Sequence, residues 1–177
     1  MTQKLWEDGP VANARTAWTY TSEEAVASIQ EWAAQLRKES RAGHHFSRAY
    51  HYLYPPAFWT DMGSLRSCDP GRLENAVVFL EADPWCFHSG YVKARLLRYL
   101  KKRGLVIPEP YAERLRRVIL TAVDKRGGWE FKWYCRLGSK VQSAGFRQEL
   151  DERLNHTDAK VKRRAQYLIH YLETGRL

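Results

Sequence analysis

Apolar residues recur every three to four positions through most of the chain, and each recurrence stops at a Gly, Pro or Asp. The first clear stripe is Val26, Ile29, Ala33 and Leu36, with Thr21 and Glu24 ahead of it at capping-box spacing and Gly43 behind it. A second short helix is expected over His44–Tyr54, closed by Pro55-Pro56. Residues 57–70 read as irregular, apart from a turn of helix at Ala57–Met62. The pattern then tightens. Leu73, Ala76, Val77 and Leu80 form a stripe that Asp83-Pro84 breaks, and Val92, Leu96, Tyr99 and Leu100 form the next, ended by Gly104. Leu115, Val118, Ile119 and Ala122 follow, stopped by Gly127-Gly128. Trp133, Leu137 and Val141 predict a fourth helix, and Phe146, Leu150 and Leu154 a short fifth. Val161, Ala165, Leu168, Ile169 and Leu172 predict the last, capped by Thr157 or Asp158. Residues 1–20 have no period and are broken by Gly9-Pro10, which predicts an extended arm held by Trp6 and Trp18.

No run alternates with a period of two, so the fold class is all-α. Short connections between successive helices imply antiparallel neighbours. A length of 177 residues with 44% apolar content suits a single domain with a packed core. The expected division is an arm over 1–20, an irregular N-terminal helical cap over 21–70 and a helix stack over 71–177.

Charge changes the picture more than composition does. Residues 1–90 hold 8 Lys and Arg against 11 Asp and Glu, a net of −3, whereas residues 91–177 hold 21 against 9, a net of +12. That asymmetry predicts an acidic partner, nucleic acid or an acidic protein, for the second half. The plainer alternative is a well-solvated basic surface. The three cysteines, Cys68, Cys86 and Cys135, have no close spacing, which argues against a disulfide framework and a zinc ribbon. The first residues lack an apolar signal-peptide core and no stretch approaches 18 apolar residues, so no membrane span and a cytoplasmic setting are expected.

Two segments align without gaps: YVKARLLRYLKKRG (91–104) and KVKRRAQYLIHYLETG (160–175). Val92 matches Val161, Lys93 matches Lys162, Arg95 matches Arg164, and the apolar stripes coincide. Each follows a shorter apolar helix and a turn bearing Asp83 or Asp158, and residues 109–142 fit as a degenerate pair between them. A helix, an Asp-bearing turn and then Val-Lys/Arg with an apolar stripe resembles the HEAT repeat, over roughly residues 70–175. The resemblance implies a right-handed α-solenoid of stacked helix pairs sharing one core. It also implies a binding scaffold for protein or nucleic acid. One HEAT-like branch, the alkylpurine DNA glycosylases, is enzymatic. The alternative architecture is an irregular helical bundle.

In a regular stack the polar faces of second helices merge, which would make Lys93 a neighbour of Lys162 and Arg95 a neighbour of Arg164. The candidate binding residues are Lys93, Arg95, Arg98, Lys102, Arg114, Arg117, Lys160, Arg163 and Arg164, clustered cations of the kind that release counterions on meeting phosphate. Trp129, Lys132 and Arg136 join them from the run WEFKWYCR (129–136), where rings alternate with cations. On a helix only half of that run can be exposed. Core packing takes most of it, with Trp129 as the accessible ring. The loop from Asp83 to Gly90 gathers an acid, a Trp, a thiol and an imidazole.

Resemblance to the glycosylases would cast Asp83 or Asp124, with Trp85 or Trp129 and Arg95, as the acid and rings that expel a cationic base. No catalytic residue is assigned on that ground, since Asp83-Pro84 also reads as a plain turn. His44, His45 and His51 span two helical turns, too far for one ion, so no metal and no cofactor are expected. No P-loop, Rossmann, zincin or nucleophile-elbow motif occurs. The leading expectation is a non-catalytic scaffold with a basic binding face. A DNA-repair glycosylase and a small immunity- or antitoxin-type binding protein are the alternatives.

Overall fold

The structure, a computed structural model, describes residues 22–41, 65–68, 73–85, 89–125 and 127–176. The arm over 1–20, the helix over 44–54, the turn at 57–62, Thr21, His44, His45 and His51 lie outside these residues. Among the described residues there are seven α-helices and no strand: α1 Ser22–Arg41, α2 Leu73–Ala82, α3 Ser89–Leu100, α4 Glu109–Lys125, α5 Phe131–Gly138, α6 Ala144–Arg153 and α7 Ala159–Thr174. None is long and apolar enough to cross a membrane.

The chain divides into two compact units, residues 1–92 and 93–177, with the division inside α3. Residues 91 and 92 are uncharged, so the same count gives −3 for the first unit and +12 for the second. The charge asymmetry of the sequence is therefore an asymmetry between the two compact units.

In the first unit α1 packs on α2. Ile29 and Ala33 are buried on α1, and Gln30 donates from Nε2 to the Ala82 carbonyl at 3.2 Å, satisfying one orphan acceptor at the end of α2. The buried face of α2 is wider than a stripe: Val78, Phe79 and Ala82 are buried along with Leu73, Ala76, Val77 and Leu80. The helix stops where Asp83 turns left-handed at φ 46 ahead of Pro84. Asp tolerates that conformation better than most residues, and a following Pro disfavours the helical one.

In the second unit α4 supplies the longest buried face: Ala112, Leu115, Arg116, Val118, Ile119, Leu120, Ala122 and Val123. α7 packs on α4, α5 and α6, and α4 also packs on α5 and α6. α5 and α7 approach closely at Gly138, where a Cβ would stand 3.2 Å from Leu168 Cδ1. α5 ends there, so Val141 is buried beyond the helix rather than on its last turn.

Caps fix the ends of α6 and α7. Ser143 Oγ accepts from the Phe146 amide at 3.1 Å, and Asp158 Oδ1 accepts from the Lys160 amide at 2.7 Å. Asp158, not Thr157, thus fills the cap position. Gly175 closes α7 in the left-handed region at φ 68, its amide donating to the Tyr171 carbonyl.

Candidate functional site

The turn after α4 and the outer face of α7 enclose two adjoining hollows in the second unit. One, of about 510 Å³, is lined by Gly127, Gly128, Trp129, Phe131, Lys132, Arg163, Arg164 and Tyr167. The other, of about 560 Å³, is lined by Lys125, Gly127, Ala159, Lys160, Arg163 and Arg164. They share Gly127, Arg163 and Arg164 and make one groove. No carboxylate is among the described lining residues.

Local structure explains how the groove stays open. Gly128 carries no Cβ because that position belongs to Glu130: a Cβ there would stand 2.3 Å from Glu130 Oε2. The Glu130 side chain is buried, leaving the backbone of the turn bare toward the groove. Trp129, in the turn just before α5, is 50% exposed, and Tyr167 on α7 is 42% exposed. Phe131 is buried beneath them, its ring centroid 6.3 Å from that of Tyr167.

The cations of the groove differ in what holds them. Arg164 donates from Nε to the Val123 carbonyl at 2.5 Å and from Nη2 to the Asp124 carbonyl at 2.8 Å. It therefore closes the C-terminal end of α4, where orphan carbonyls and the helix dipole favour a cation. Lys125, Lys132, Lys160 and Arg163 are exposed and have no acidic partner among the described residues. Six of the nine acids of this unit pair with other arginines: Glu109 and Glu113 with Arg116, Asp151 and Glu173 with Arg147, Asp124 and Glu149 with Arg153.

Three cations surround Trp133 on α5. Arg136 lies 4.4 Å from the ring centroid, Arg98 5.2 Å and Lys132 5.5 Å. Lys132 also reaches the Trp129 ring at 6.0 Å. Cation–π attraction of this kind places positive charge on the ring of Trp133. Its half-buried position and its cation neighbours leave Trp129 as the ring of this run offered to solvent.

Of the residues singled out by sequence, Trp129, Lys132, Lys160, Arg163 and Arg164 meet in the groove. Arg98 and Arg136 stand beside it around Trp133. Arg95 and Lys102 are exposed but do not line it. Arg114 lies over the Tyr111 ring at 5.9 Å, and Arg117 pairs with Glu113 at 3.1 Å. Lys93 departs from expectation: it is fully buried, so it does not belong to a solvent-facing cation row. The side-by-side rows expected from the repeat alignment are likewise not what positions the groove, because the principal neighbours of α7 are α4, α5 and α6.

Lys125 and Tyr167 were missed by sequence reasoning. Tyr167 had a signal, since it follows Arg163 and Arg164 by four and three positions and so shares their helix face.

Neither candidate acid lines the groove. The Asp124 carboxylate accepts from Arg153 Nε at 2.8 Å and Nη2 at 3.0 Å, and Asp83 belongs to the first unit. Trp85, near Asp83, is 61% exposed, while Cys86, Phe87 and His88 lie outside the described residues. Among the described residues no group of three His, Cys, Asp or Glu is placed to hold a metal ion. No protein-family model, no curated protein and no solved structure matches the chain.

Proposed function

We propose that the protein is a non-catalytic binding module whose second unit engages nucleic acid through the groove between the α4–α5 turn and α7. One observation carries the reading: exposed Trp and Tyr rings line a groove with four cations that have no acidic partner, and no carboxylate, among the described residues. Cations alone would serve an acidic protein equally well. Exposed rings beside bare glycine backbone favour bases, which stack on aromatic faces irrespective of sequence. The HEAT-like arrangement over residues 70–175 belongs to the same proposal, supported by the short turns and by the packing of neighbouring helices α4 on α5 and α6 on α7. A glycosylase mechanism needs an acid among the rings, and the described lining of the groove holds none, which favours binding over base excision.

Fluorescence anisotropy with a labelled oligonucleotide, titrated against salt and run beside an acidic peptide, tests the reading. Phosphate contact on a single strand predicts a slope of log K against log salt of about −0.7 per phosphate neutralised, no steeper than about −3 for the four cations. Reversing charge at Lys160 and Arg163 together is expected to weaken binding by about tenfold or more, because each lost phosphate contact removes counterion release. Reversal of Arg37 and Lys38, exposed residues of the first unit, serves as the control. Absence of oligonucleotide binding at low ionic strength, or tight binding of the acidic peptide alone, would overturn the nucleic-acid reading.

A further inference from the structure

The two hollows share a wall but differ in chemistry. The hollow beside α5 has the rings, Trp129, Phe131 and Tyr167. The hollow beside the first turn of α7 has Lys125 and Lys160 and no ring. Arg163 belongs to both, with the bare backbone of Gly127 between them. A nucleotide has the same division, an apolar π-face joined to an anionic phosphate.

Resting on the nucleic-acid reading above, we propose that these hollows are paired subsites for one unpaired nucleotide of a single strand. The base stacks against Trp129 and Tyr167, and its phosphate meets Lys125, Lys160 and Arg163. Each hollow lies within the range of volumes typical of small-ligand sites. Base-paired nucleic acid hides the faces of its bases, so a duplex would reach the cations and leave the rings uncovered. Trp133 does not duplicate the base subsite, because Arg136, Arg98 and Lys132 already surround it. Exposed rings of this size beside unpaired cations are the combination that single-strand binders use.

The test measures binding of an eight-nucleotide single strand, the same sequence as a duplex, an abasic strand of equal length and a free mononucleotide to the full chain. The single strand is expected to bind about tenfold or more tightly than the abasic strand, the range that one stacked base contributes. The duplex should resemble the abasic strand. Trp129→Ala with Tyr167→Ala should lower single-strand affinity to the abasic level without changing the salt slope, and Trp129→Tyr should restore part of it. Lys160→Ala with Arg163→Ala should make the slope shallower. All four substituted side chains are exposed, and circular dichroism checks that each variant is folded. Saturation by the mononucleotide at the affinity of the strand would support the paired subsites and name a free nucleotide as their source. Equal binding of single strand, duplex and abasic strand, unaffected by loss of both rings, would overturn the subsites while leaving phosphate binding intact. Failure of every anionic probe at low salt would instead remove the reading on which they rest.

Discussion

Arg116 is the most demanding residue of the second unit, an arginine only 6% exposed on the longest helix of that unit. It donates from Nη1 to the Val141 carbonyl at 3.1 Å, from Nε and Nη2 to Glu113 at 3.2 and 2.9 Å, and from Nη2 to Glu109. Burial disfavours its charge, but the bonds to Glu109 and Glu113 outweigh that and hold its pKa above the ordinary value. The two glutamates are 73% and 48% exposed, so solvent screens those ion pairs and they contribute little. The carbonyl of buried Val141 is another matter. Leaving it unpaired costs about 1–3 kcal/mol.

Arg116→Met keeps the aliphatic stem and deletes the donors, for a loss of about 2 kcal/mol. Arg116→Ala also removes two methylenes at about 0.8 kcal/mol each, raising the loss to about 4 kcal/mol. Glu109→Gln should cost less than about 1 kcal/mol. Urea unfolding followed by far-ultraviolet circular dichroism measures all three. A loss below about 0.5 kcal/mol for Arg116→Met, or equal losses for Met and Ala, would refute the division between carbonyl bond and stem.

The acid limb adds a second check. The hydrogen bond from Arg116 holds the Glu113 carboxyl below its ordinary value of 4.5, against a smaller opposing effect of burial. A depressed folded pKa gives stability that is complete above the unfolded value and lost as pH falls through the folded one. Stability of the parent protein should therefore decline below about pH 4.5 more steeply than that of Arg116→Met.

Other substitutions probe separate features. Burial pushes the Cys135 thiol up to about 12, so it should stay unalkylated at pH 8 in the folded protein and react on unfolding, as peptide mass spectrometry would show. Labelling of Cys135 in the native state would contradict its burial. Gly128→Ala brings a Cβ against the far end of the Glu130 side chain, a carboxylate that can shift, and should destabilise by about 1 kcal/mol, the low end for overpacking. In a double-mutant cycle Glu130→Ala should remove most of that penalty, whereas additive losses would show that the carboxylate is not the obstacle. Asp158→Ala should cost about 1 kcal/mol by uncapping α7, and Asp158→Asn much less, both read by thermal unfolding. Equal losses for Ala and Asn would point to the charge rather than the cap.

The helices of the second unit were legible because their apolar stripes are interrupted by strong punctuation. Gly127-Gly128 follows the end of α4, as Asp83-Pro84 follows that of α2 in the first unit, whereas α3 stops at Leu100, short of the expected Gly104. Less legible were the cations whose partners are distant in sequence. Arg164 reads as an ordinary surface residue, yet it is fixed by carbonyls 41 and 40 positions earlier. Lys93 and Arg116 are buried because α3 and α4 bury more than one stripe, and a periodic pattern weighs a charged residue as solvent-facing wherever it falls. The basic character of the site was thus visible from counts. Which cations converge was decided by how α7 packs on α4 and α5, information held by apolar side chains rather than by charged ones.

The contact of Arg164 with the end of α4 makes the floor of the groove a joint as well as a wall. Its sides come from residues 125–132 and 159–167, which an unfolded polymer has no reason to bring together. A ligand of the groove would consequently recognise only the folded chain. At a concentration one hundred times its Kd, such a ligand adds about 2.7 kcal/mol to stability through mass action alone. The melting temperature then becomes a gauge of occupancy, and a screen of candidate strands by thermal shift needs no label, no immobilised partner and no assumption about what the partner is.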